Sequence, residues 1–276
     1  MVSLVNDTTG TLIASAYKDP EVKIGSIVST GCNSAYMEQC SAIPKLQHAS
    51  LPPDAQMAIN TEYGAFDNSC RVLRRTRFDI DLDKASPRPG QQLYEKMVAG
   101  LYMGEIVRRM LLELHDTQNY LNDQDVSMLQ EPHILDSSFL SGVETDDSDT
   151  REGVRHLMCE KLNLTTTLLD RRICRYLVEL VGMRSARLYA CGIAAIFKKR
   201  GIQSGKVGVD GSVFNYYTRF RMRASQALRD IFDWPEGSKD AITFQMSEDG
   251  SGAGAALIAA LTTNTVAVDG VGVDGV

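Results

Sequence analysis

Residues 206–261 decide the class of the fold, because KVGVD (206–210), TRFRMRASQALRDIF (218–232), AITFQM (241–246) and GAALIAAL (254–261) follow one another there. The first and third read as strands, the second as an amphipathic helix, and the fourth as a helix after the Gly250-Ser251-Gly252 turn. Strand and helix alternate, so the class is α/β. Upstream, 168–199 reads as a long helical stretch, rich in small residues at Ala186, Ala190, Ala194 and Ala195, with a break expected near Gly182. Apolar residues at Leu93, Met97, Leu101, Val107, Met110, Leu111 and Leu114 predict a helix over 91–114. Between these, 116–164 is polar, with an acidic cluster at Asp146, Asp147 and Asp149, and reads as a solvated surface insertion without chemistry.

Toward the N-terminus a short strand over 2–5 leads into a helix over 8–16, whose start Asn6 or Asp7 could cap. The β-branched run Ile24, Ile27, Val28 breaks at Ser29-Thr30-Gly31 and resumes through Tyr36, the pattern of a hairpin over 23–39 with a small-residue tip. A further strand over 57–61 carries Glu62 at its end. The stretch 268–276 repeats Val-Asp-Gly and reads as a flexible end.

A chain of 276 residues, 43% hydrophobic and 23% charged, can bury one large core or two modest ones. With 29 Lys and Arg against 35 Asp and Glu, the net charge of −6 argues against a nucleic-acid partner, which needs a basic face. No bilayer-spanning apolar segment and no basic-then-apolar leader is apparent, so the expected compartment is the cytoplasm. The six cysteines (Cys32, Cys40, Cys70, Cys159, Cys174, Cys191) form no Cys-x-x-Cys pair and the four histidines no ligand spacing, so no metal site is expected. Cys174 and Cys191 lie in apolar helical stretches and read as core thiols.

Several short motifs follow one another along the chain: Asn6-Asp7, Ser29-Thr30-Gly31-Cys32-Asn33, Glu62-Tyr63-Gly64-Ala65-Phe66-Asp67-Asn68, Gly90-Gln91-Gln92-Leu93-Tyr94-Glu95-Lys96, Val209-Asp210-Gly211-Ser212 and Glu248-Asp249-Gly250-Ser251-Gly252. Singly each has a plain structural reading. Asp7 could be an N-cap, Glu62 a surface carboxylate at a strand end, and Glu95 a first-turn helix glutamate favoured by the dipole.

In this order the set resembles the C-terminal portion of a eukaryotic, fungal-type hexokinase, beginning at the catalytic aspartate. The resemblance implies an actin-like or ribonuclease-H-like ATPase fold, of which 1–262 would be the large domain, a mixed sheet flanked by helices. The family's small domain would be largely lacking upstream, and 263–276 would be a flexible tail. It implies ATP-dependent phosphorylation of a glucose-like hexose at its 6-hydroxyl, feeding glycolysis, with Mg²⁺ carried by the nucleotide. The alternative it leaves is a truncated or non-catalytic hexokinase-like protein with a regulatory or binding role.

The resemblance assigns the base to Asp7 and the remaining sugar hydroxyls to Asn6, Asn33, Glu62 and Glu95. Carboxylates accept and amides do both, which suits a ring of hydroxyls. It assigns the nucleotide's phosphates to Thr30 and Gly31, and the regions flanking its adenosine to Gly211 and Ser212 on one side and Gly250 and Ser251 on the other. Ser29 stands where the family usually has glycine, a position that would be strained if it required positive φ. Two further departures are Thr218, where proline is common, and Ser185, where alanine is usual. A surface that would dock the small domain should be apolar and exposed near Met1, with self-association as its consequence.

Overall fold

The structure is a computed structural model and describes residues 4–269. Its elements run α1 (Asp7–Lys18), β1 (Val22–Val28), β2 (Cys32–Gln39), β3 (Gln56–Asn60), α2 (Arg77–Ala85), α3 (Leu93–Val98), α4 (Gly100–Gln118), α5 (Ser127–Gln130), α6 (Ser137–Thr145), α7 (Glu152–Leu162), α8 (Leu168–Arg200), β4 (Gly205–Asp210), α9 (Ser212–Tyr216), α10 (Thr218–Phe232), β5 (Ile242–Met246) and α11 (Gly250–Asp269). The strands form one mixed sheet in the order β3-β2-β1-β4-β5. The hairpin β1-β2 and its neighbour β3 pair antiparallel, whereas β4 and β5 add in parallel. Pairing of Val28 with Cys32 leaves Ser29-Thr30-Gly31 as the tip, as the sequence pattern predicts.

Helices cover both faces of the sheet, the arrangement that lets a parallel pair bury its backbone. On one face α1 lies over β1 and β2 and is crossed by α11. On the other, Ile24, Val28, Val207 and Val209 join the core built by α3, α4, α6, α8 and α10. The buried Tyr189 hydroxyl of α8 donates to Ser26 Oγ on β1 at 3.0 Å, which pins that helix to the sheet.

Several expectations need correction. Segment 116–164 is not a solvated insertion. Leu129, Phe139, Leu140, Val143, Val154, Met158 and Leu162 are each at most 1% exposed and belong to the core. Buried positions recur three or four apart along α6 and α7, a period that average composition conceals. The acidic cluster is partnered as well: Asp146 accepts from the Ser148 and Val154 backbones, and Asp147 pairs with Arg175 and Arg219.

No break occurs at Gly182, since α8 runs unbroken through it. A Cβ there would stand 2.5 Å from the Tyr217 hydroxyl and 2.8 Å from Arg223 Nη1, so the glycine makes room for a buried polar cluster. That cluster is Glu144, which accepts from Tyr217 Oη at 2.9 Å and Arg223 Nη1 at 2.8 Å. Conversely, the helix expected over 91–114 is interrupted at Ala99, between α3 and α4. Ser185, buried in α8, donates to the Val98 carbonyl at this interruption, so its hydroxyl has a structural use.

Cys174 is buried as expected, but Cys191 is exposed. Leu4 and Val5 are not in a strand, and 1–3 lie outside the described residues. At the other end α11 continues through 263–269 of the expected flexible tail, and 270–276 lie outside the described residues. By length and composition α8 would suffice to cross a membrane, contrary to the sequence reading, yet 56% of its most apolar window is buried inside the protein.

Candidate active site

At the start of α1 the question of which residue caps the helix has a clear answer. Asn6 takes an extended conformation and its Oδ1 accepts from the Thr8 and Thr9 amides at 3.0 and 3.4 Å. Asp7 is thereby the first helical residue, exposed, with one carboxylate oxygen held by the Thr8 amide at 2.8 Å. No protein donor meets its other oxygen among the described residues, which leaves an acceptor open to a ligand.

Asn33 is the second residue of β2, and Glu62 follows β3 after one residue, so strand pairing brings them together. Asn33 Nδ2 donates to Glu62 Oε1 at 3.0 Å, and Asn33 Oδ1 accepts from the Glu62 backbone at 3.0 Å. Glu62 occupies the left-handed region (φ 48°), a conformation uncommon for a side chain with a Cβ. It opens a turn whose Tyr63 ring meets Tyr94 edge-on at 5.4 Å, which ties the Glu62 turn to α3.

One residue beyond Tyr94, in the first turn of α3, half-buried Glu95 reaches behind the β1-β2 hairpin and accepts from the Cys32 backbone at 3.0 Å. Burial pushes its carboxyl above the usual glutamate range; the Cys32 N–H opposes this, and the nearby charge of Glu62 adds to it. A Cβ on Gly31 would lie 2.7 Å from Glu95 Oε2, so any side chain there would displace this carboxylate. The carboxylate that borders the Glu62 patch is thus also the support of the hairpin tip, where Thr30 is exposed.

Ser29 needs no left-handed backbone, so its side chain adds no strain of the kind a glycine would relieve. Its hydroxyl lies 3.1 Å from that of Ser212, and its carbonyl accepts from the Gly100 backbone at 2.8 Å. Asp210, at the end of β4, accepts from the Gly211 backbone at 2.7 Å and the Gly250 backbone at 3.2 Å, so one carboxylate links both glycine loops. The first turns of α1 and α11 cross where a Cβ on Gly254 would stand 2.0 Å from the Gly10 carbonyl oxygen. Both helix N-termini therefore lie beside each other, a favourable place for anions.

Hydrogen bonds therefore link Asn33 with Glu62 and Glu95 with the hairpin tip, whose Ser29 meets Ser212, while Asp210 ties the Gly211 loop to Gly250. Sequence reasoning missed five serine and tyrosine positions beside Ser212: Ser137, Ser138 and Ser141 of α6, with Tyr216 and Tyr217, join it around a cavity of about 160 Å³. The run Asp136-Ser137-Ser138 before an apolar stretch was a helix-start signal that could have marked them. Among the described residues no group of three or more His, Cys, Asp or Glu side chains is assembled to hold a metal.

Comparison with known proteins gives a consistent result. The hexokinase family model matches residues 23–261. A hexokinase of Emericella nidulans is 53% identical over 268 residues, covering 96% of this chain and 55% of the relative. Hexokinase-1 of Saccharomyces cerevisiae is 48% identical over 271 residues, covering 97% and 56%. Among solved structures, a Schistosoma mansoni hexokinase complexed with glucose superimposes with a TM-score of 0.83 at 35% identity, covering 94% of this chain and 57% of that one. The chain spans about half the length of the curated relatives it matches.

Proposed function

Because the chain belongs to the hexokinase family, we propose that it carries the sugar- and nucleotide-binding walls of an enzyme that phosphorylates a glucose-like hexose at its 6-hydroxyl with ATP. The observation that carries this is the hydrogen-bonded Asn33-Glu62 pair close enough for its charge to act on Glu95, whose carboxylate in turn holds the Cys32 amide at the foot of the Ser29-Thr30-Gly31 tip. A sugar hydroxyl is a poor nucleophile, so the cleft must orient it and relieve it of its proton.

Asp7 is the base: its uncommitted carboxylate oxygen accepts the 6-hydroxyl proton as the sugar oxygen bonds to the γ-phosphorus and the bond from that phosphorus to its bridging oxygen breaks, releasing ADP. Asn6, Asn33, Glu62 and Glu95 hold the other hydroxyls. The Thr30 hydroxyl and the Gly31 backbone receive phosphates, aided by the N-terminal turn of α11 at Gly250 and Ser251. Ser137, Ser141, Ser212 and Tyr216 offer hydroxyls and a ring to the adenosine. Mg²⁺, when carried in with the nucleotide, neutralises phosphate charge, and the donors of the tip and of α11 suit that nucleotide. The cytoplasm is the proposed compartment, and exposed Leu4 and Tyr17 support self-association.

A coupled phosphotransfer assay with glucose and Mg-ATP, with Asp7→Ala as control, tests this. Turnover abolished in the control supports the kinase. A folded chain that binds glucose without turnover would instead be a binding protein of hexokinase descent.

A further inference from the structure

Asn60, the last residue of β3, stands at the centre of the sugar patch. Its Oδ1 accepts from Asn33 Nδ2 at 2.6 Å, with the Thr8 hydroxyl 3.4 Å away, and its Nδ2 donates to Glu62 Oε1 at 2.7 Å. The backbone sets the direction of this relay. Asn33 Oδ1 accepts from the Ser34 and Glu62 amides at 2.8 and 3.0 Å and from the Thr61 hydroxyl at 3.2 Å, so its nitrogen is the end that faces Asn60. Asn60 must meet that donor with its carbonyl oxygen, and its own amide nitrogen then turns to Glu62. The reverse orientation would set donor against donor and carbonyl against carboxylate.

Two N–H groups thus fix Glu62 Oε1, and Oε2 has no protein donor among the described residues. We infer that Asn60 is a positioning residue for hexose binding: it aims the Glu62 carboxylate, and orders Asn33, without itself holding the sugar. The inference rests on the sugar-site reading above. Glu62 needs such support because its left-handed backbone leaves the local chain with little preference of its own for this geometry.

The test is calorimetric titration of glucose into the unaltered chain, Asn60→Ala and the isosteric Asn60→Asp, with thermal melting and Mg-ATP titration as controls. Asn60→Ala should bind glucose on the order of 10-fold more weakly, as expected for a lost hydrogen bond to a charged group, with Mg-ATP affinity unchanged. In Asn60→Asp a carboxylate faces Glu62, so the loss should be larger at pH 8. It should shrink as the pH falls and the introduced carboxyl gains a proton to donate, whereas the Asn60→Ala deficit should stay constant. Glucose affinity unchanged in Asn60→Ala, or pH profiles of the two variants that coincide, would overturn the positioning role alone. An unaltered chain that takes up no glucose would overturn the sugar-site reading and this inference with it.

Discussion

The proposed sugar and nucleotide walls are built on different physical principles. On the proposed sugar side, side chains do the work: Asn33, Asn60 and Glu62 form a hydrogen-bonded relay that the Thr8 hydroxyl extends to Asn6. On the proposed nucleotide side, backbone and close approach dominate, with Asp210 gathering the amides of Gly211 and Gly250 and with α1 and α11 meeting at Gly10 and Gly254. Substitutions should therefore act on the first wall through lost hydrogen bonds, graded by charge, and on the second through steric exclusion.

The largest expected effect breaks chemistry without breaking either wall. Asp7→Ala should lower phosphotransfer on the order of 10²–10⁴-fold, as for loss of a general base, while calorimetry still detects glucose binding. Next comes Gly254→Ala, whose new methyl would press on the Gly10 carbonyl. Denaturant unfolding should show a loss of about 1–3 kcal/mol, the range for overpacking, together with weaker Mg-ATP binding. A neutral result there would remove the steric half of the comparison.

On the sugar wall, Glu62→Gln and Glu95→Gln should each weaken glucose binding by about 1–3 kcal/mol in calorimetry, and the two should differ in pH dependence. Burial raises the Glu95 carboxyl, so falling pH should protonate this acceptor before an ordinary glutamate, and glucose affinity should drop at correspondingly higher pH. The sign for stability is opposite. A raised carboxyl means that ionisation costs the folded state above the unfolded-state value, so Glu95→Gln should raise the melting temperature at neutral pH. That advantage should fade as the pH falls through the carboxylate range.

Smaller still, Ser141→Ala should weaken Mg-ATP by about 0.5–1.5 kcal/mol, the worth of one neutral hydrogen bond, with glucose affinity unaffected. Ser29→Gly should change stability by no more than about 0.5 kcal/mol, because Ser29 already holds an ordinary backbone conformation. A large gain in nucleotide affinity from that change would show that the serine side chain, rather than the backbone, limits the tip.

Much of this was legible locally. The hairpin and its tip, the strand ending before Glu62 and the strand-helix alternation over 206–261 rest on periods of two and 3.6 and on small-residue turns, which a single sequence displays. Segment 116–164 was misread because its apolar residues are spread over α5, α6 and α7 among many polar ones. Gly182 was misread because a lone glycine in a helix signals weakness only when nothing packs against it, and here Glu144, Tyr217 and Arg223 do.

By itself, the sequence determined the α/β class, the family and the identity of the groups able to accept or donate a hydrogen bond, since these depend on residue type and order. Tertiary structure alone decided that Asn6 rather than Asp7 caps α1, that Glu95 props the β1-β2 tip and that α6 lines a cavity beside Ser212. It also placed Asn60 between Asn33 and Glu62. The reason is physical: capping, burial and the direction of an amide relay are set by partners far along the chain, brought within 3 Å only when the sheet and its two helical layers assemble.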